Sequence, residues 1–316
     1  MSMNTIQFQK GLSLLEFLEH YGTEAKCKAE LEARRWPKGF VCPECGHSEH
    51  CVVYHNDCKT FQCTHCRTQT TLTSGTIFQN TRLPLFKWFY AMYLMTQSKN
   101  NVSALELTRV LGVCYRSAWR LKHKLAQVMY ERENKRVLKG RIEIDDAYLG
   151  GEHRGGKAGR GSENKVPFIA AVQTTESGGP QYAVYTKVAT FSGEQIETWA
   201  KERLQEGSIV ISDGLKCFAS VTQAGCIHKP VVVGQGQRST DLPCFAWVNT
   251  VLGNLKTAFS GTFHTFKAMK YAHRYLAETQ YRFNRRFDMK AMLPRMLVAC
   301  VQTPARPEAW LRSAET

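Results

Sequence analysis

Two aspartates, one shortly before and one after the middle of the chain, lie in or directly after strand-like segments, where a metal-dependent reaction could be built. Asp145 lies in EIDDAYLGG, which alternates apolar and acidic residues, and Asp213 follows the β-branched run in VISDG. Carboxylates on neighbouring strands can share divalent cations roughly 3.5–4 Å apart, the arrangement of two-metal phosphoryl transfer. Mg²⁺ is the expected cation because it prefers oxygen ligands. Either aspartate alone would more often be structural, in a turn or a loop, than catalytic.

Four of the twelve cysteines form two Cys-x-x-Cys pairs, CPEC (Cys42, Cys45) and CTHC (Cys63, Cys66). The 17 residues between the pairs fall within the spacing of structural zinc sites. Four thiolates complete a tetrahedron, which leaves no open position for water or substrate, so this zinc would stabilise a fold. Two chance pairs or redox dithiols are the alternative interpretation. The remaining nearby candidate ligands are Cys51, Cys58, His47 and His65.

Short β-branched and aromatic runs surround these cysteines and predict a small sheet, so residues 37–80 are expected to form a zinc ribbon. A domain of this size has little core of its own, and metal binding would supply much of its folding free energy. Residues 1–36 before it are expected to be helical.

Residues 81–137 carry helical periodicity and predict a helix-turn-helix. LPLFKWFYAMYLMTQS is one helix, Ser103 followed by Glu106 is a capping-box start, Gly112 ends that helix, and another begins near Tyr115. The side of this last helix expected to face the core is Ala118, Leu121, Leu125 and Met129. The residues expected to face DNA are Arg116, Ser117, Arg120, Lys122 and Lys124. An ordinary helical hairpin with a solvated basic face is the alternative.

The composition agrees with a nucleic-acid partner. The chain has 316 residues, 43% of them hydrophobic, and 42 Lys and Arg against 27 Asp and Glu give a net charge of +15. The excess is concentrated in 101–140 and 264–299, where a positive field would attract a polyanion. No segment has 18 consecutive uncharged apolar residues, so a membrane span is disfavoured and the cytoplasm is the expected location.

Residues 138–300 are predicted to form an α/β domain, which is followed by a tail at 301–316. Further strands are predicted at VPFIAAVQTT, QYAVYTKVAT and GSIVISDGL, with a helix near GEQIETWAKERLQ. The basic glycine-rich segment 150–165 is predicted to be a loop. In WVNTVLGNLK, Asn249 and Lys256 are seven residues apart, which places them on one face of a helix. Asn249 could instead be a helix N-cap.

The order of these segments resembles bacterial insertion-sequence transposases that combine a zinc ribbon with an ISXO-type, RNase H-like catalytic domain. The most specific motifs are DDAYLGG and RYLAETQYRFNRR. The resemblance implies a multidomain protein with an N-terminal zinc ribbon, a helix-turn-helix segment and a C-terminal RNase H-like domain. It places the first catalytic carboxylate at Asp145, beside Asp146, and the second at Asp213. Asn249 stands where the broader superfamily has glutamate, and Lys256 keeps the basic partner.

The resemblance also implies an activity: nicking at the ends of an element, followed by attack of the freed 3′-OH on target DNA. Asp145, Asp213 and Asn249 would hold Mg²⁺ or Mn²⁺, with the neutral Asn249 holding one metal more weakly. Lys256 would contact phosphate, and Arg282, Arg285 and Arg286 would hold the DNA backbone.

The expected partners are double-stranded DNA, as element ends and target, and further copies of the chain in a homo-oligomer. No membrane and no small-molecule substrate is expected, and the location would be the nucleoid. Two alternatives stay open: a DNA-binding regulator or domesticated transposase without catalysis, and a nuclease without strand transfer.

Overall fold

A computed structural model describes residues 10–55, 58–150, 165–232, 242–263 and 268–313. The chain divides into two compact units. The described part of the first consists of the chain up to Ser98, Val102–Val128 and Phe287–Ser313, and that of the second consists of Lys99–Asn101 and Met129–Arg286. The predicted glycine-rich loop, 150–165, lies outside the described residues except at its two ends.

The N-terminal part of the first unit contains two helices and a small antiparallel sheet. Ser13 begins the first helix with a complete capping box, and Thr23 caps the second. The strands pair in the order β1-β2-β3. The elements are α1 (Leu14–Tyr21), α2 (Glu24–Arg35), β1 (His50–His55), β2 (Cys58–Cys63) and β3 (Gln69–Thr71).

Three further helices follow the ribbon: α3 (Leu85–Gln97), α4 (Ala104–Leu111) and α5 (Tyr115–Glu133). The hydroxyl of Ser103 caps α4, and Gly112 ends it in the left-handed region at φ 59°, where glycine has no Cβ penalty. The helix bounds therefore lie where the capping signals place them. The side of α5 predicted to face the core is buried, at Ala118, Leu121, Leu125 and Met129.

Two helices late in the chain complete the first unit: α9 (Met292–Gln302) and α10 (Glu308–Arg312). Helix α9 packs against α2 and α3. The segment 301–316, predicted to be a tail, contains α10, whose Leu311 is fully buried. This division differs from the predicted one because the apolar face of α9 is buried in the first unit and not against the central sheet.

The second unit is built on a five-stranded mixed sheet in the order β6-β5-β4-β7-β8. Strands β4, β5 and β6 are antiparallel, whereas β7 and β8 run parallel to β4. The strands are β4 (Arg141–Leu149), β5 (Val166–Thr174), β6 (Pro180–Lys187), β7 (Ile209–Ser212) and β8 (Ile227–Pro230). The predicted α/β class is therefore correct for this unit.

Helices cover both faces of this sheet. Alternation along β4 directs Ile142 and Ile144 into one core, which contains α6 (Gly193–Arg203) and a 3-10 helix at Lys216–Ala224. Ala147 lies in the opposite core with α7 (Ala246–Ser260) and α8 (Ala268–Phe283). In the part of the chain that the structure describes, no helix has both the length and the apolar composition to cross a membrane.

Candidate active site and zinc centre

An acidic cluster forms where β4 and β7 run side by side. Glu143 pairs with Ile211 in their parallel register, so the same register puts Asp145 opposite Asp213, one residue beyond the end of β7. Asp145 itself lies in the middle of β4 and not at its end. Carboxylate oxygens of Asp145, Asp146 and Asp213 all lie within 4.8 Å of one another.

The environment of Asp145 favours its neutral form. Burial, followed by the neighbouring charges of Asp146 and Asp213, raises its pKa from 3.8 to about 7. The N–H of Asp146, which donates to Asp145 Oδ1 at 2.9 Å, and the charge of Lys256 act in the opposite direction. A cluster of oxygen ligands with mutual repulsion of this kind is complementary to a divalent cation.

Helix α7 carries the other two predicted catalytic residues. Asn249 is half-buried, and Lys256 is exposed two turns further on. The N-cap of α7 is Phe245, so the alternative interpretation of Asn249 as the N-cap is wrong. The positive charge of Lys256 lowers the pKa of Asp145 and so favours its ionised form.

Sequence reasoning missed Glu143, which is fully buried on the face of β4 shared with Asp145. Its Oε2 accepts hydrogen bonds from the backbone N–H groups of Trp247 (2.9 Å) and Val248 (3.0 Å), in the first turn of α7. Its Oε1 accepts a hydrogen bond of 2.8 Å from Arg141. The signal that could have revealed it is the alternation in β4, which turns an acidic side chain toward a core.

The four predicted zinc ligands come together in the first unit. One Sγ–Sγ distance is 3.5 Å and another is 3.6 Å, close to the roughly 3.8 Å edge of a tetrahedron with Zn–S bonds of about 2.3 Å. In each pair the residue after the second cysteine has left-handed backbone, at Gly46 (φ 74°) and Arg67 (φ 62°). The cluster consists of Cys42, Cys45, Cys63 and Cys66. This geometry fits a structural zinc, and Cys51 and Cys58 lie outside it, exposed on the sheet.

The predicted DNA-facing residues of α5 have unequal exposure. Arg116 and Arg120 are largely exposed, at 71% and 45% of their side chains. Lys122 is buried and donates to the carbonyl of Val102, and the half-buried Lys124 donates to Ile77 O at 2.8 Å. Burial, with a smaller contribution from Arg120, lowers the pKa of Lys124 to about 8.

A cleft of about 600 Å³ runs along the exposed side of α5 in the first unit. Ser117 and Arg120 line it together with Glu308 of α10. Glu308 accepts hydrogen bonds from Arg116 and Arg312, which hold the pKa of its carboxyl below the usual range. The exposed arginines of α5 therefore already have a carboxylate partner within the chain.

The three arginines of the segment YRFNRR bind groups inside the second unit. Arg282 is 8% exposed and donates to Asn100 O at 2.6 Å and to Asn101. Arg285 forms an ion pair with buried Glu133, and Arg286 donates to carbonyls of Pro180, Gln181 and Phe283. The predicted contacts of these arginines with DNA would have to compete with these interactions.

Comparison with known families identifies the chain. Residues 22–69 match the transposase zinc-ribbon domain, and residues 137–284 match the ISXO2-like transposase domain. The fold and its two side-chain clusters thus belong to a transposase-family protein with a zinc ribbon. More narrowly, residues 137–284 form an ISXO2-like transposase domain, and the resemblance predicted from the motifs is confirmed.

The chain is also similar to individual known proteins. The chain is 26% identical over 239 residues to an uncharacterised protein in the transposable element ISH50 of Halobacterium salinarum, covering 70% of this chain and 78% of that protein. A pre-cleavage Mos1 transpososome matches at 11% identity and a TM-score of 0.27, over 68% of this chain and 77% of that one. A Mos1 mariner paired-end complex with Mn matches at 10% identity and 0.24, over 67% and 77%.

Proposed function

We propose that the protein is an active, metal-dependent DNA transposase that cleaves element ends and joins the freed 3′-OH to target DNA. The observation that carries the proposal is the convergence of Asp145 and Asp213 across β4 and β7, inside the ISXO2-like domain. Helices on both faces of the mixed sheet support the expected RNase H-like domain.

The acidic cluster would hold Mg²⁺ or Mn²⁺ through Asp145 and Asp213, with the amide oxygen of Asn249 as a neutral third ligand. Bound divalent cations would activate the attacking oxygen and stabilise the leaving oxygen of an in-line displacement. Asp145 would hold such a cation in its deprotonated form, because the pKa of about 7 belongs to the cluster without a cation. Lys256, on the exposed face of α7, supplies positive charge for the DNA phosphate.

DNA binding is assigned to the pair α4–α5, acting as a helix-turn-helix. Arg116, Ser117 and Arg120 lie on the accessible side of α5 and are the first candidates for DNA contacts. The buried Lys122 and half-buried Lys124 would contribute positive field more than direct contact. The zinc ribbon requires its metal to fold, and the excess positive charge attracts the DNA backbone.

Two element ends must be held together for transposition, so a homo-oligomer is part of the proposal. The protein would act on double-stranded DNA in the cytoplasm, at the nucleoid.

The test is a cleavage and joining assay with labelled duplex carrying a candidate element end, in Mg²⁺ or Mn²⁺. Asp145→Ala, Asp213→Ala and Asn249→Ala are compared with Asp288→Ala, which removes an exposed carboxylate paired with Arg295 outside the cluster. Joined products that disappear in both catalytic-aspartate variants and persist in Asp288→Ala support the transposase. Nicking without joining supports a nuclease, and binding without cleavage supports a regulator.

A further inference from the structure

The second unit contains a buried carboxylate that the proposed reaction does not use. Glu143 is fully buried on β4, two residues before Asp145, so the two side chains share the face that packs against α7. Burying a carboxylate costs free energy unless hydrogen-bond donors bind it. The donors here are Arg141 Nη1 and the N–H groups of Trp247 and Val248.

These donors join β4 to the beginning of α7. The N-cap residue, Phe245, has no polar side-chain atom, so the free N–H groups of the first turn depend on a group from elsewhere. Glu143 binds two of them and places negative charge at the positive end of the helix dipole. Arg141 adds a second link, because its Nη2 donates to Cys244 O at 3.3 Å, two residues before α7 begins.

We infer that Glu143 is a positioning residue, which fixes α7 and thereby sets where Asn249 and Lys256 stand relative to Asp145. The inference rests on the proposed function, because it assigns Glu143 to the site in which Asn249 is a metal ligand. Asn249 follows Val248 directly, so any displacement of the first turn displaces its amide. A neutral amide brings no net charge to a cation. Its contribution to cation affinity therefore depends on where its oxygen lies.

The probe is Mn²⁺ alone, measured by electron paramagnetic resonance on the full chain without DNA. Glu143→Gln keeps the side-chain length but presents an amide N–H₂ to one of the donors that the carboxylate binds. We expect about tenfold weaker Mn²⁺ binding, as is typical when a group that orients a metal ligand is changed. In an Asn249→Ala background, Glu143→Gln should cause no further loss, because its effect passes through α7.

Gln173→Met is the matched control. Gln173 is 4% exposed on the neighbouring strand β5, and its Oε1 accepts from the N–H of Lys139 at 3.0 Å. Its loss should lower the melting temperature and leave Mn²⁺ affinity within twofold of the wild type. Arg141→Lys provides a second variant if Glu143→Gln does not fold. It weakens the same link from its other side and should reduce Mn²⁺ affinity about threefold, again only when Asn249 is present.

Unchanged Mn²⁺ affinity in Glu143→Gln, or an equal loss with and without Asn249, would overturn the inference. An equal loss of Mn²⁺ affinity in Gln173→Met would also overturn the inference. It would mean that Glu143 affects Mn²⁺ binding only through the stability of the fold. The proposed function fails separately, through a wild-type protein that binds Mn²⁺ but neither nicks nor joins DNA.

Discussion

Glu308 Oε2 lies 3.1 Å from Arg116 Nη2, and the same oxygen lies 3.5 Å from Arg120 Nη1. An acidic side chain of α10 thus pairs with the two exposed guanidinium groups that we propose as DNA contacts. A carboxylate at this position offers the arginines negative charge and two acceptor oxygens, as a DNA phosphate does. Protein and DNA acceptors would therefore compete for the same arginines.

This competition predicts that Glu308→Gln strengthens DNA binding. We expect roughly a fivefold gain in affinity, about 1 kcal/mol, and a steeper salt dependence as the released arginines reach phosphates. Fluorescence anisotropy over a salt series measures both quantities. Glu197→Gln on α6 is the control, since it makes the same charge change at a carboxylate paired with Lys201. Equal affinities for Glu308→Gln and the wild type would argue against α5 as the DNA-binding helix.

The raised pKa of Asp145 predicts how pH affects the stability of the metal-free protein. Between its usual value of 3.8 and about 7, the folded state binds more protons at this group than the unfolded state. The free energy of unfolding therefore falls as pH rises through that window. Mg²⁺ should then raise the melting temperature more at pH 8 than at pH 6, because only the deprotonated cluster binds it.

The variant Asp145→Asn tests whether the titration of Asp145 causes this pH dependence of stability. It should stabilise the metal-free protein at pH 8 by on the order of 2 kcal/mol and abolish the stabilisation by Mg²⁺. Calorimetry at both pH values, with and without Mg²⁺, measures these changes. A Mg²⁺ effect that survives in Asp145→Asn would mean that the cation binds elsewhere.

The cysteine cluster predicts one zinc per chain. Cys63→Ser should abolish zinc binding and unfold the ribbon, because Cys63 is both a cluster member and fully buried beside Phe61. Cys58→Ser on the same strand should retain full zinc content, since Cys58 is exposed and lies outside the cluster. Elemental analysis of the two purified variants measures their zinc content. Loss of zinc in Cys58→Ser would mean that the ligand set is different.

The buried position of Arg282 predicts a change in stability. Arg282→Met leaves the carbonyl of Asn100 and the side chain of Asn101 without their donor, at a cost of about 2–4 kcal/mol. Arg116→Ala, at an exposed position, should change stability by less than about 0.5 kcal/mol while weakening DNA binding. Urea unfolding measures the first effect. If Arg282→Met instead had wild-type stability and failed to bind DNA, the result would support the predicted role of Arg282 as a DNA contact.

Local signals in the sequence were sufficient for part of this structure. The ends of α4 follow from Ser103 and Gly112 because caps act on backbone groups within one turn. The zinc cluster follows from spacing because each pair of cysteines is held by one short turn. To predict that Asp145 and Asp213 lie opposite each other, the order of the strands in the sheet must be known. The family motifs implied that order, whereas periodicity alone did not.

Residues whose partners are distant in the chain could not be placed in this way. Glu143 was not singled out from the sequence, and Arg282 was predicted to contact DNA. The burial of each depends on a partner more than 100 positions away, Trp247 for Glu143 and Asn100 for Arg282. Strand β8 was missed because IHKP is largely exposed and has no apolar alternation.

The interleaving of the two units has a consequence for synthesis and for the decay of element copies. Most of the second unit lies between Val128 and Phe287 in the chain, so the first unit is complete only when α9 and α10 have left the ribosome. Helix α9 contributes buried side chains, among them Met296 and Cys300, beside α2 and α3. A gene copy shortened before Phe287 would therefore encode the whole ribbon and both helices α4 and α5, yet leave their unit without part of its core. Late stop codons should therefore inactivate the unit to which we assign DNA binding as effectively as early ones.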